Sequence, residues 1–361
     1  MLGRLIDQLF PQHVHEPAEA DIVTSFRSSH PGLSQYKPET PWGDTISLLR
    51  AGDLNLINLE TSVTTSTNKW PNKVFNYRMH PANVTALQAA GIDYAGLANN
   101  HTLDFREEGL KETVSTVKDA GIAFAGAGDT AGEATRPAVL RLPRGEDGNE
   151  RMIHIWAASD HPTEWATVKG FHSIDYAQAT RTRLQALLHP RTASHCSPPT
   201  VSPVLKIFSV HWGPNYTWQP SQEIRDLAHF LVDSCDIDIV HGHSSHHVQG
   251  VEKYHDKLII YGCGDLVDDY ALVPEYRNDL SGVWSVQVEA SDGGDRESSR
   301  LKLNKLELFP TKIERFAARR LKAEEPDSQW IRERVRILSA AMGTNVQIEE
   351  GGEGRAIVDL S

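Results

Sequence analysis

The chain has 361 residues, 39% of them hydrophobic and 23% charged, the balance of an ordinary globular protein long enough to bury a large core in one big domain or two smaller ones. Its formal net charge of −12 argues against a nucleic-acid binder, which needs a basic face to displace counterions. An anionic substrate is compatible with that charge only where a metal or a local basic patch offsets it.

Taken in chain order, "MLGRLIDQLFPQHV" places Asp7 and Pro11 too early for a signal-peptide apolar region, and no later run reaches membrane-spanning length. A cytoplasmic protein is expected. Cys196, Cys235 and Cys263 lie far apart without a CxxC, which fits a reducing compartment and speaks against a disulfide framework or a thiolate zinc site. Six short apolar runs predict buried strands: 54–60, 92–98, 152–158, 205–211, 237–243 and 257–263. Helical patterns lie between many of them. "TISLLRAG" and "NVTALQAAG" each end in Gly, "REEGLKETVSTVKDAG" puts Leu110, Val114 and Val117 on one face, and "SQEIRDLAHFLVDS" repeats that pattern after Ser221. Alternation of this kind predicts an α/β fold. "HPRTASHCSPPTVSP" (189–203) predicts an exposed loop. From about 280 a hairpin around "SDGGDRESS", a helix over "SQWIRERVRILSAAM" and a final hairpin over "VQIEEGGEGRAIVDL" are expected. We divide the chain into a main domain, 1–315, and a helix-plus-hairpin extension, 316–361.

Four apolar runs finish in side chains able to bind metal: Asn58 and Glu60; Asn100 and His101; His211; and His243, His246 and His247. In open α/β sheets ligands gather beyond the carboxyl ends of the strands, so residues distant in sequence can converge there. Imidazole, carboxylate and amide oxygen together suit Zn, Mn or Fe better than Ca. Two such metals about 3.5–4 Å apart would activate water for a displacement. Each residue also has a plainer reading. His211 alone could be structural, Glu60 a solvated carboxylate, and Asp104 the N-cap of the helix that follows, a role we place ahead of chemistry for it. "GHSSHH" resists such a reading, because three histidines at a strand end build a poor core. With His243 and His246 as ligands, His247 falls outside the coordinating set. In "NKWPNKVFNYRMHP", Lys73 and Arg78 are candidates for binding a substrate carboxylate or phosphate, and Trp70, Phe75 and Tyr77 for walling the pocket.

"INLETSVT", "LANNHTLDF", "VHWG", "GHSSHHVQG" and "IIYGCGD" occur in the order and approximate spacing of the CapA family of capsule or poly-γ-glutamate synthesis accessory proteins, which the chain resembles over roughly residues 1 to 275. The resemblance implies a metallophosphoesterase-like α/β/β/α sandwich, two packed mixed sheets flanked by helices around a dinuclear divalent metal site. It assigns Glu60 as the bridging carboxylate, Asn100 as the amide ligand, and His211, His243 and His246 as imidazole ligands. His101 would protonate a leaving group or contact the scissile oxygen, and Asp104 would orient it. The sequence departs from the family pattern in three places. No strand ending in "GD" precedes "MLGR", and Asp7, on a following helix, is a poor substitute for that Asp. Ser244 stands where the usual "GHHPH" has its middle His. Asp265 stands where many relatives have Asn.

Three functions follow as expectations. The first is a metal-dependent hydrolase of a phosphoester or γ-glutamyl-type amide, acting on an anionic small molecule or a polyglutamate-like substrate. The second is a non-catalytic accessory protein that keeps the fold and binds a polymer or a synthase. The third, a ligase-like role, is weakest, because no GxxxxGK[ST] phosphate loop is present.

Overall fold

The computed structural model describes residues 2–142, 150–189, 202–290 and 300–361. The expected loop at 189–203 falls almost wholly outside them, as do the hairpin tip 291–299 and Cys196.

The α/β architecture is built on two sheets. A three-stranded parallel sheet joins Leu56–Asn58, Tyr94–Gly96 and Ala123–Ala125 in that order. A six-stranded mixed sheet runs Val251–Tyr254, Lys257–Ile260, Ile239–His243, Leu205–His211, Arg151–Ser159, Ala138–Leu142. Its four inner strands are parallel and each outer strand is antiparallel to its neighbour. All six apolar runs therefore form strands, shorter than the runs in most cases because the flanking residues enter turns.

Side-chain parity decides what faces what. Along Leu205–His211, Phe208 and Val210 pack with Leu227, Ala228 and Leu231 of the helix Gln222–Cys235 and with Leu184 of the helix Gln178–Leu188. Leu205 and Ile207 point the other way, into the core shared with Tyr94 and Ala95 of the three-stranded sheet. The helix Arg106–Asp119 buries Leu110, Val114 and Val117 as the spacing predicts. The helix Gln222–Cys235 starts at a Ser221 cap, whose Oγ accepts from Ile224 N–H at 3.3 Å, and stops where Asp236 turns left-handed. Among the described residues the helices Pro17–Ser29 and Gln178–Leu188 escaped the sequence reading; the first buries only Val23 and carries little apolar pattern.

The C-terminal part forms a further sheet. Leu280–Ala290 pairs with Leu301–Glu314 as the expected hairpin, and the final hairpin, Gln347–Ile348 with Ala356–Asp359, adds to its other edge. The helix Pro326–Ala340 packs against it. The boundary drawn at 315/316 sits in the turn between Leu301–Glu314 and the strand Ala317–Arg320 paired with it. Strand pairing thus ties the extension to the preceding segment, through Ala317–Arg320 and Ala356–Asp359 on Leu301–Glu314.

Gly242 shows how tightly the central sheet is packed beside the histidines. A Cβ there would lie 2.3 Å from the Tyr261 carbonyl oxygen and 2.8 Å from Trp212 Nε1. Backbone cannot yield as a flexible side chain does, so Gly242→Ala should lose about 2–3 kcal/mol of stability by overpacking. Urea unfolding measures it, and an unchanged midpoint would contradict the packing described.

Candidate functional site

The two parallel strands Leu205–His211 and Ile239–His243 are in a register that places His211 opposite His243 and Ser209 opposite His241. Parity puts all four on the face between the sheets, at the carboxyl ends. His211 Nδ1 lies 2.9 Å from His243 Nδ1, one donating and the other accepting, and Ser209 Oγ lies 3.1 Å from both His243 Nε2 and His241 Nδ1. Burial holds His211 and His243 well below the ordinary histidine pKa and pushes His241 down to about 4. These imidazoles are neutral at pH 7.

Beyond His243 the chain turns sharply, with Ser244 at φ 111° and His246 at φ 59°, a region that residues other than Gly avoid. The turn aims His246 at a different pair of partners. Its Nδ1 is 2.9 Å from Asp265 Oδ2 and its Nε2 is 3.6 Å from Glu60 Oε1. Burial alone would lower its pKa, but Asp265 and Glu60 outweigh it and raise the group to about 9. His247 is turned away, with Nδ1 on its neighbour's carbonyl and its ring between Trp218 and Tyr276.

Glu60 follows the strand Leu56–Asn58. Asn58 Nδ2 donates to its Oε2 at 3.1 Å, while Oε1 is buried without a hydrogen-bond partner. Asn99 braces the facing turn, donating to Asn58 Oδ1 and Leu59 O and accepting from His101 N–H and Thr102 Oγ1. Next to it, Asn100 Oδ1 is likewise buried and unpaired, as is His211 Nε2.

His101 stacks on Tyr77 with ring centroids 4.3 Å apart, and its Nδ1 lies 2.6 Å from Asp104 Oδ2. Asp104 also accepts from Tyr77 N–H at 2.6 Å and from Lys73. The capping role placed first for Asp104 is not seen. Phe105 occupies the N-cap position of the helix Arg106–Asp119, which has no side-chain cap, and Asp104 points inward to His101. Burial, with help from Lys73, lowers the His101 pKa despite Asp104.

The two basic residues expected to meet substrate are both engaged. Lys73 pairs with Asp104, donates to Phe75 O, and lies 3.2 Å from His101 Nδ1. Arg78 is buried on the opposite parity from Tyr77, donating to Glu16 and to the Thr65 and Ser66 carbonyls over the Phe105 ring. The structure does not bring its guanidinium to the cluster. Asp7 is structural, accepting from Val14 N–H, His80 N–H and Asn83 Nδ2, and burial raises it to about 6.

The sequence reading missed Asp160 and His161, which end the strand Arg151–Ser159 just as other polar residues end its neighbours. Asp160 accepts from Gly213 N–H, Tyr176 Oη and His161, and the His161 ring sits 4.9 Å from that of His211. With Asn100, Asn215 and Glu223 they line a cavity of about 500 Å³. A second cavity, about 720 Å³ and largely apolar, runs between Leu56–Asn58, the inner face of the six-stranded sheet and Val283–Glu289, and reaches Glu60, His243, His246 and Asp265.

The fit to a divalent metal can be tested on the residues themselves. Buried polar atoms almost always find partners, so three orphans on Glu60, Asn100 and His211 are notable, since all three are donors of the kind Zn, Mn and Fe take. Among the described residues no three His, Cys, Asp or Glu side chains are gathered as a ready cage, and His243 has both nitrogens engaged. Donor chemistry and unpaired atoms fit a metal; closure around one requires His211 and His243 to turn apart.

Among known proteins, residues 1–270 match the family described as bacterial capsule synthesis protein PGA_cap. A Mycobacterium tuberculosis protein named "probable polyglutamine synthesis accessory protein" is 31% identical over 374 residues, taking in 96% of this chain and 90% of its own. The capsule biosynthesis protein CapA of Bacillus anthracis is 27% identical over 52% of this chain and 42% of its own. The PGA biosynthesis protein CapA of Bacillus subtilis is 25% identical over 62% and 55%.

The His246 environment sets a pH dependence. A histidine whose folded pKa is raised to about 9 adds stability that is complete below the unfolded value and lost as pH rises through the folded one. The window is therefore roughly pH 6.5 to 9, and the shift corresponds to something on the order of 3 kcal/mol. In chelator, the thermal midpoint of the parent should fall across that window more steeply than that of His246→Gln. Parallel curves would contradict the charge balance.

Proposed function

The chain belongs to the PGA_cap family of bacterial capsule synthesis proteins, and we propose that it acts as a metal-dependent hydrolase of a phosphoester or a γ-glutamyl-type amide bond. The observation that carries this reading is the set of buried atoms without a hydrogen bond on Glu60, Asn100 and His211 beside an oriented His101–Asp104 pair. Glu60, Asn100, His211, His243 and His246 would hold the metal. Mn, Fe or Zn in such a donor set supplies Lewis-acid activation of water and of the scissile group. With Nδ1 committed to Asp104, His101 would give a proton from Nε2 to the leaving atom, and Asp104 stabilises the imidazolium that carries it beforehand. Tyr77 fixes the ring from one face. The cavity at Asn100 and His161 offers the approach for substrate. Because Lys73 and Arg78 are neutralised by Asp104 and Glu16, attraction for an anionic or polyglutamate-like substrate must come from the metal charge.

A non-catalytic accessory role is the second reading, favoured by the engaged nitrogens of His243. Elemental analysis of the purified protein beside His243→Ala/His246→Ala separates the two. We expect about two equivalents of metal in the parent, lost in the double variant. Hydrolysis of p-nitrophenyl phosphate and γ-glutamyl-p-nitroanilide should then drop roughly 10²–10⁴-fold in His101→Ala. No metal after reconstitution with Mn, Fe or Zn would overturn the hydrolase and leave the accessory role.

A further inference from the structure

We propose that Asp265 is the positioning residue for His246: it accepts a hydrogen bond from Nδ1 and so holds Nε2 on the side of Glu60 Oε1. The inference rests on the metal reading above, and it assigns a role to a residue outside the coordinating set. The two ring nitrogens of His246 face opposite ways, Nδ1 to Asp265 Oδ2 at 2.9 Å and Nε2 to Glu60 Oε1 at 3.6 Å. A carboxylate can only accept, so Nδ1, at hydrogen-bond distance from Asp265, carries hydrogen, whereas Nε2 at 3.6 Å from Glu60 is committed to no hydrogen bond. Nε2 is thus left for a metal shared with the buried Glu60 oxygen.

The surroundings do not fix the ring without this contact. His246 stands on a left-handed turn residue, and its ring touches Tyr270 edge-on at 4.7 Å and Tyr216 at 6.0 Å, neither of which distinguishes one nitrogen from the other.

Binding of Mn²⁺ alone, measured by calorimetry on the full chain, tests the assignment, with circular dichroism and the metal-free thermal midpoint recorded for each variant. Asp265→Ala, which removes the acceptor for Nδ1, should bind one Mn²⁺ equivalent roughly 10–100-fold more weakly while keeping the parent's fold. Asp265→Asn, whose amide oxygen can still accept from Nδ1, should lose less. An Asp265→Ala protein with parental Mn²⁺ affinity overturns the assignment and leaves the hydrolase reading standing. So does one whose thermal midpoint falls while its affinity holds, since that marks a purely structural role. A parent that takes up no Mn²⁺ overturns the metal reading, and this assignment with it.

Discussion

The site depends on one constraint, the side-chain alternation of two adjacent parallel strands in fixed register. The face that carries Leu205, Ile207 and Ile239 into the gap between the sheets must also carry Ser209, His211, His241 and His243, because every second residue shares a face. The apolar residues anchor the register and the polar ones ride on it. A slip of one residue would bury the histidines against the helices Gln178–Leu188 and Gln222–Cys235 and expose the apolar set to the cluster.

Placing imidazoles in a core has an electrostatic consequence. Where burial outweighs any nearby carboxylate it removes the proton and leaves neutral acceptors, as at His211, His243 and His241. His246 and His101 each meet a carboxylate at close range, and they behave oppositely. His246 meets Asp265 and Glu60, whose charges outweigh burial, and its pKa rises to about 9. His101 meets Asp104, but Lys73 shares that carboxylate and adds its own charge, so burial prevails and the pKa falls. The third partner decides each case. One pair is suited to a cation that replaces a proton, the other to an imidazole that is neutral until it takes one up.

Much of this was legible from the chain. Strand ends, helix faces and the "GHSSHH" cluster announced themselves through periodicity and through polar residues terminating apolar runs. The roles of Lys73, Arg78 and Asp104 were not, because their partners are remote: Asp104 is 31 residues from Lys73, and Glu16 is 62 residues from Arg78. Parity held one unused clue. Tyr77 and Arg78 are adjacent at the start of an extended segment, so one that faces His101 excludes the other. Asp160 and His161 obeyed the same strand-end rule as the residues that were found.

The turn after His243 is where local preference and tertiary demand conflict. Two non-glycine residues at positive φ cost roughly 1–3 kcal/mol each. Ser244 Oγ donates to Gly213 O, Ser245 Oγ to His247 O, and Tyr216 N–H to Ser245 O, so the strained backbone is held by polar contacts at both ends. A relaxed turn would extend the strand and, three residues beyond His243, leave His246 on the opposite face of the sheet, away from the cluster. The left-handed residue breaks that alternation, and it is this break that swings His246 across to Glu60 and Asp265. Alternation gathers the histidines of the sheet, and the local departure from it lets a histidine of the same strand end reach carboxylates carried by other segments.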